Sequence, residues 1–145
     1  MKIVITGAAG AIGSHLTERL NNLNHEVIGI DAFTPYYDPK IKIATSEELE
    51  SQGIKMLNLN LATDDLEAIS DAEIIFHLAA QPGISATTPF EDYLKNNIIA
   101  TQKILDAALK NEKLKMFFNA STSSVYGAVA NGPESTLPQP TSNYG

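Results

Sequence analysis

The chain has 145 residues, 43% hydrophobic and 19% charged, an ordinary balance for one globular domain and too little chain for a second compact one. Its net charge of −7 offers no cationic stripe to neutralise phosphates, which argues against nucleic acid as a partner. With no cysteine, disulfides and thiolate metal sites are excluded, and the composition suits a reducing, cytoplasmic setting.

Lys2-Ile3-Val4-Ile5-Thr6 reads as a strand that runs straight into Gly7-Ala8-Ala9-Gly10-Ala11-Ile12-Gly13, with a helix from about Ala11 to Asn22. The apolar stretch before the glycines is one strand long, so it predicts neither a signal peptide nor a membrane span. A glycine turn at the carboxyl end of a parallel strand lets backbone approach a diphosphate, and the following helix offers free N–H groups and a positive dipole end. The G-x-x-G-x-x-G spacing differs from the general G-x-G-x-x-G fingerprint, and by itself it also fits an ordinary tight turn. Glu26 to Ile30 forms a second apolar run ending in Asp31, roughly 20 residues after the glycines, where an acid accepts hydrogen bonds from an adenosine ribose. An acid there repels a 2′-phosphate, so NAD is expected over NADP. The alternative for Asp31 is a plain strand-end turn residue.

Asp31 to Lys40 reads as a loop containing Pro35, Pro39 and the pair Tyr36-Tyr37, followed by a short helix over Ile41 to Gln52. Ile54 to Asn58 predicts a third strand, and Asp64 to Ser70 a short helix capped by Thr63 or Asp64. Glu73 to Leu78 is a fourth strand of the kind buried on both faces. A long helix over Glu91 to Glu112 is expected to pack through Ile98, Ile99, Ile104, Leu105, Ala108 and Leu109. Lys115 to Asn119 is the fifth strand, and from Ser121 onward the Ser, Thr, Pro, Gly and Asn content predicts loop. Strands alternating with helices imply an α/β fold with a doubly wound parallel sheet of the Rossmann type. His15, His25 and His77 show no metal-ligand spacing and read as structural.

Taken together, five local sequences resemble one family: Thr6 through Leu16, His77-Leu78-Ala79-Ala80-Gln81, Asn96-Asn97-Ile98-Ile99-Ala100-Thr101, Ser121-Thr122-Ser123-Ser124-Val125-Tyr126-Gly127, and Ser142-Asn143-Tyr144-Gly145. They look like the nucleotide-sugar epimerases and dehydratases of the extended short-chain dehydrogenase/reductase family, from one end of the chain to the other. Within that family, Gly29 through Lys42 and His77 through Gly83 resemble UDP-glucuronate 4-epimerases. An arginine and an aromatic usual after the fourth strand correspond to Ser85 and Ala86 here.

The resemblance implies a tyrosine of a Y-x-x-x-K motif as general base toward a sugar hydroxyl while hydride passes to NAD. Tyr144 occupies that position, and Thr122 that of the partner hydroxyl. Tyr126 reads as a packing residue. Dehydratases of the family carry an Asp-Glu pair after the threonine and UDP-glucuronate decarboxylases a glutamate before the valine. Ser123 and Ser124 stand there, which favours epimerisation. For the cofactor the resemblance implies Gly7, Gly10, Ala11, Ile12 and Gly13 around the diphosphate, Asp31 on the ribose, and Asn60 with Leu61 beside the adenine. Leu78, Ala79, Ala80 and Gln81 would line the nicotinamide side, and Asn97 would face the active centre or lie exposed on its helix.

The chain stops one residue after Tyr144, before the lysine of the motif, the later strands and the sugar-binding region. Residues 1–145 are therefore expected to be an incomplete NAD-binding domain, inactive alone, from a parent that takes a UDP-sugar and has room to be a homodimer. A non-catalytic NAD-binding module, or another reaction of the same family, stays open as the alternative.

Overall fold

The computed structural model describes residues 1–83, 88–128 and 131–145; Ser85 and Ala86 lie outside them. Five strands, β1 (Lys2–Thr6), β2 (Glu26–Asp31), β3 (Lys55–Asn58), β4 (Ile74–His77) and β5 (Met116–Asn119), form one parallel sheet in the spatial order β3-β2-β1-β4-β5. The order reverses at β1, whose two neighbours are the strands that lead away to opposite edges. Such a reversal opens a crevice outside the carboxyl ends of the strands.

Helix α1 (Ala11–Asn22) joins β1 to β2, and α2 (Pro39–Ser51) joins β2 to β3. Between β4 and β5 run α3 (Phe90–Tyr93), a π-helical segment (Leu94–Ile99) and α4 (Ala100–Ala108). Alternation along the strands divides the core in two. Ile3, Ile5 and Val27 pack with Leu16 and Leu20 of α1, whereas Val4, Ile28, Ile30 and Ile75 pack with Ile69, Ile104 and Ala108. Ile3, Ile5, Ile30, Ile75 and Ile104 are all essentially sealed from solvent. Burying each such side chain is worth about 1.5–3 kcal/mol, enough to hold the strand ends in register beneath the crevice.

Several expectations are corrected. α2 begins at Pro39, two residues early, because the Asp38 carboxylate accepts from the Lys40 N–H at 3.0 Å and proline suits the first helical turn. The helix expected over Asp64 to Ser70 shrinks to a 3-10 turn, Glu67–Ile69. Asp64 turns back instead, accepting from the Asn60 N–H at 2.8 Å and the Thr63 hydroxyl at 2.9 Å, and these bonds hold its carboxyl below the usual range. The long helix is interrupted by its π segment and ends at Ala108, and its packed stripe is Ala100, Ile104 and Ala108. Ile98, Ile99, Leu105 and Leu109 are exposed, the last at 85%. β4 is fully covered on one face only: Ile75 and His77 are buried, while Ile74 and Phe76 are half-buried, with Phe76 stacked on the exposed Phe118. The segment after β5 is loop apart from a 3-10 turn, Ser123–Tyr126.

Candidate cofactor cleft

The crevice at the carboxyl ends of the strands is a cleft of about 1010 Å³, and all the residues nominated from the sequence line it. Its floor is the turn after β1. Gly7 has a φ of +71°, open to glycine without strain, and a Cβ there would lie 2.9 Å from the Ala79 nitrogen. Gly13 lets α1 close down on the turn, since a Cβ on it would run into the Gly7 carbonyl. Gly10 differs. Its φ is −81°, and a Cβ would meet only the Gly7 oxygen, at 3.1 Å. The fold needs Gly7 and Gly13, whereas at Gly10 the missing side chain keeps the helix mouth open.

That mouth is the N-terminus of α1. Gly10 caps it without a side-chain bond, and no acid stands in the first turn. The N–H groups of Ala11, Ile12 and Gly13 have no partner inside the helix and carry the positive end of its dipole. An anion of diphosphate size fits both the shape and the sign of this floor.

Asp31 closes β2 at the edge of the floor and is 5% exposed. Its Oδ2 accepts from the Ala9 N–H at 3.2 Å, and its Oδ1 accepts from the Phe33 N–H at 2.9 Å and from Lys42 Nζ at 3.2 Å. Lys42, whose ammonium also lies 5.4 Å from the Tyr37 ring centre, was legible only as part of a resemblance, although one turn into a helix after the acid is within a lysine's reach. Asp31 and Lys42 are the only carboxylate and the only ammonium among the described lining residues. Asn60 uses its Oδ1 to accept from the Ala62 N–H at 3.0 Å, which leaves its amide hydrogens as donors beside Leu61.

On the other side of the floor, Leu78, Ala79, Ala80 and Gln81 leave β4. Asn97 lines the cleft, but its side-chain amide is engaged with a strand exit and not free on its helix. Its Oδ1 accepts from the Gln81 N–H at 2.6 Å and its Nδ2 donates to the Gln81 carbonyl at 3.0 Å. The π segment turns it toward that strand exit, a common use of such irregularities. Beneath lies a buried network absent from the sequence reading. The Ala79 N–H donates to Thr6 Oγ1 at 3.2 Å, that oxygen lies 2.7 Å from His77 Nδ1, and His77 Nε2 lies 3.0 Å from Thr101 Oγ1. His77 thus lies between two hydroxyls that can each donate or accept, so its neutral ring is satisfied in either tautomer. Burial pushes its pKa down to about 4. No metal-binding group of side chains occurs among the described residues.

Thr122 and Tyr144 occupy the far end. The Thr122 Oγ1 accepts from the Ser124 N–H at 3.1 Å, so it caps the 3-10 turn and its own hydrogen stays available to donate into the cleft. Tyr144 is half-buried against the buried Tyr93, with ring centres 6.3 Å apart. Tyr126 points elsewhere, toward the Glu134 carbonyl at 3.4 Å.

Residues 3–145 match the model of the NAD dependent epimerase/dehydratase family. A Bacillus subtilis protein named as an uncharacterized UDP-glucose epimerase is 40% identical over all of this chain and 48% of its own length. A probable UDP-glucuronate 4-epimerase of Rhizobium meliloti is 39% identical over 88% of the chain and 39% of its own length. Among solved structures, UDP-glucuronic acid 4-epimerase from Bacillus cereus in complex with NAD superposes with a TM-score of 0.83 at 40% identity, covering all of this chain and 48% of that one. The same enzyme with UDP-glucuronic acid and NAD gives 0.86 at 37% identity, over 99% and 48%. The chain thus spans about half the length of the relatives it matches.

Proposed function

The chain belongs to the NAD dependent epimerase/dehydratase family, and on that premise we propose that it is the NAD-binding part of a nucleotide-sugar 4-epimerase acting on a UDP-sugar of the glucose or glucuronate type. The observation that carries the reading is the cleft itself, with a bare helix N-terminus as its floor, an acid at one rim and a Thr122–Tyr144 pair at the other. Ala11, Ile12 and Gly13 would hold the diphosphate with backbone N–H groups. Asp31 would accept from a ribose hydroxyl with the Oδ2 lone pair that its three existing bonds leave free. Asn60 and Leu61 would border the adenine, and Leu78 to Gln81, braced by Asn97, would lie along the nicotinamide. NAD, when bound there, supplies a reversible hydride acceptor.

Toward the sugar, Thr122 donates its free hydrogen to the reacting hydroxyl oxygen, and Tyr144 takes that hydroxyl's proton. Asp31 is the only side-chain carboxylate of the cleft among the described residues and sits at the ribose end, so none of these residues supplies an acid beside Thr122 to expel water. Oxidation, rotation and reduction from the other face need none. This favours epimerisation over dehydration. The reading extends to a cytoplasmic setting, supported by the cysteine-free sequence, and to a homodimeric parent on family resemblance alone. No described helix is long and apolar enough to cross a membrane.

Calorimetric titration of the chain with NAD tests the first half. The second half needs the longer protein that carries the chain, assayed for interconversion of the 4-epimers of UDP-glucose and UDP-glucuronate. Binding with turnover of either pair is expected. Binding with no turnover in the longer protein points to the non-catalytic module, and no binding refutes both.

A further inference from the structure

The loop after β2 and the loop after β4 leave the sheet on opposite sides of β1, yet they meet. The phenolic oxygen of Tyr36 stands where a Cβ on residue 83 would have to go. Gly83 also holds a φ of +104°, which favours glycine, and a methyl there would push the phenol end of Tyr36 aside. The partner loop is firmly anchored. Tyr93, 3% exposed, donates its hydroxyl to the Gly83 carbonyl at 2.9 Å, and Asn97 grips both backbone groups of Gln81. Among the described residues Tyr36 has no such hydrogen bond. It is 45% exposed and touches the Tyr37 ring edge-on at 6.4 Å between centres.

With the glycine turn as floor, the two loops and the Tyr36–Gly83 contact close a ring around the cleft. Asp31 ends the strand that leads into one loop and Leu78 to Gln81 begin the other, so a dinucleotide spanning them crosses the floor inside that ring. We propose that Tyr36 is a positioning residue of the cofactor site, a latch between the β2 and β4 loops that must open for a dinucleotide to enter or leave. The inference rests on the NAD reading above and adds to it a residue and a kinetic role.

Release of bound NADH from the chain, followed by the fluorescence of the nicotinamide in a stopped-flow chase, is the direct test. Tyr36→Ala should speed release about tenfold, because lost closure acts mainly on the off-rate. Its melting temperature should be unchanged, since the ring is half exposed. Gly83→Ala places a methyl against the tyrosine and should accelerate release similarly. The double variant should then be no faster than Gly83→Ala alone, since both act on one contact. Unchanged release in Tyr36→Ala, or additive effects in the double variant, overturns the latch while leaving NAD binding intact. If the unaltered chain binds no NADH, the latch and the cofactor reading fall together.

Discussion

The three glycines of the first turn should separate fold from ligand when each is given a side chain. At Gly13 an added Cβ would collide with the Gly7 carbonyl oxygen and lie 2.8 Å from the Gly7 carbon and 2.9 Å from the Ala8 Cα. All are backbone atoms that cannot swing aside, so Gly13→Ala must lift α1 off the turn, an overpacking cost of about 1–3 kcal/mol. For a chain of this size that corresponds to a fall in melting temperature of roughly 3–10 °C. At Gly10 the only neighbour is the Gly7 oxygen at 3.1 Å, and the φ of −81° suits any residue. A few tenths of an ångström of adjustment accommodates a methyl, and reduced freedom in the unfolded chain offsets part of that by about 0.4–1 kcal/mol. Gly10→Ala should therefore melt within a few degrees of the parent yet bind NAD more weakly. Gly10→Val should abolish binding with a near-native circular dichroism spectrum. Thermal melts paired with calorimetric NAD titration give both readouts on one sample. A Gly10→Val chain that keeps its NAD affinity would show the floor is not where the diphosphate lies.

Asp31→Ala should narrow the preference for NAD over NADP by about 1–3 kcal/mol, the worth of a charge-assisted hydrogen bond, and should raise NADP affinity outright because Lys42 loses its partner. Competitive titration with both cofactors checks this, and a preserved gap would remove Asp31 from the ribose site. His77 stays neutral in the folded chain down to about pH 4, whereas the unfolded chain takes up its proton near pH 6.5. Stability is therefore fully present above pH 6.5 and drains by about 3 kcal/mol as the pH falls to 4, where the slope levels off. Urea melts at successive pH values should show that slope in the parent and its loss in His77→Asn; identical pH profiles would contradict the assigned network. In the longer protein, Tyr144→Phe and Thr122→Ala should each lower kcat at least about 100-fold with NAD affinity unchanged, the range for losing a proton-transfer group. A fully active Tyr144→Phe enzyme would remove Tyr144 as the base.

What the sequence made legible was local. The strand, glycine turn and helix lie within 22 consecutive residues, each element fixed by its neighbours in the chain, and they emerge as read. Asp31 is likewise placed by the strand it ends. The errors have a different origin. Thr63 and Asp64 have the chemistry of helix caps, but Asn60 lies four residues earlier and offers an unpaired N–H that the Asp64 carboxylate takes instead. Pro39 looked like loop because prolines usually are, although an aspartate immediately before it is also the signature of a capped helix start.

The stripe is misplaced because it follows the large apolar residues. Ile98, Ile99, Leu105 and Leu109 are exposed, whereas the small Ala100, one turn before Ile104 and two before Ala108, is part of the buried face. The π segment bears instead on the part of the site that was missed. The loosened winding lets a single helical stretch reach the site at three points: Tyr93 on Gly83, Asn97 on Gln81 and Thr101 on His77. Residues 93, 97 and 101 are four apart, which a sequence reading takes as one helix face, but it cannot show that this face grips a strand exit rather than packing a core. Periodicity reports which side of a helix is apolar. The partners of its polar residues are set by where the sheet places the neighbouring loops, and that depends on the order in which the strands assemble. The same limit hid Lys42 and Tyr36, whose contacts run to Asp31 and Gly83 across 11 and 47 positions.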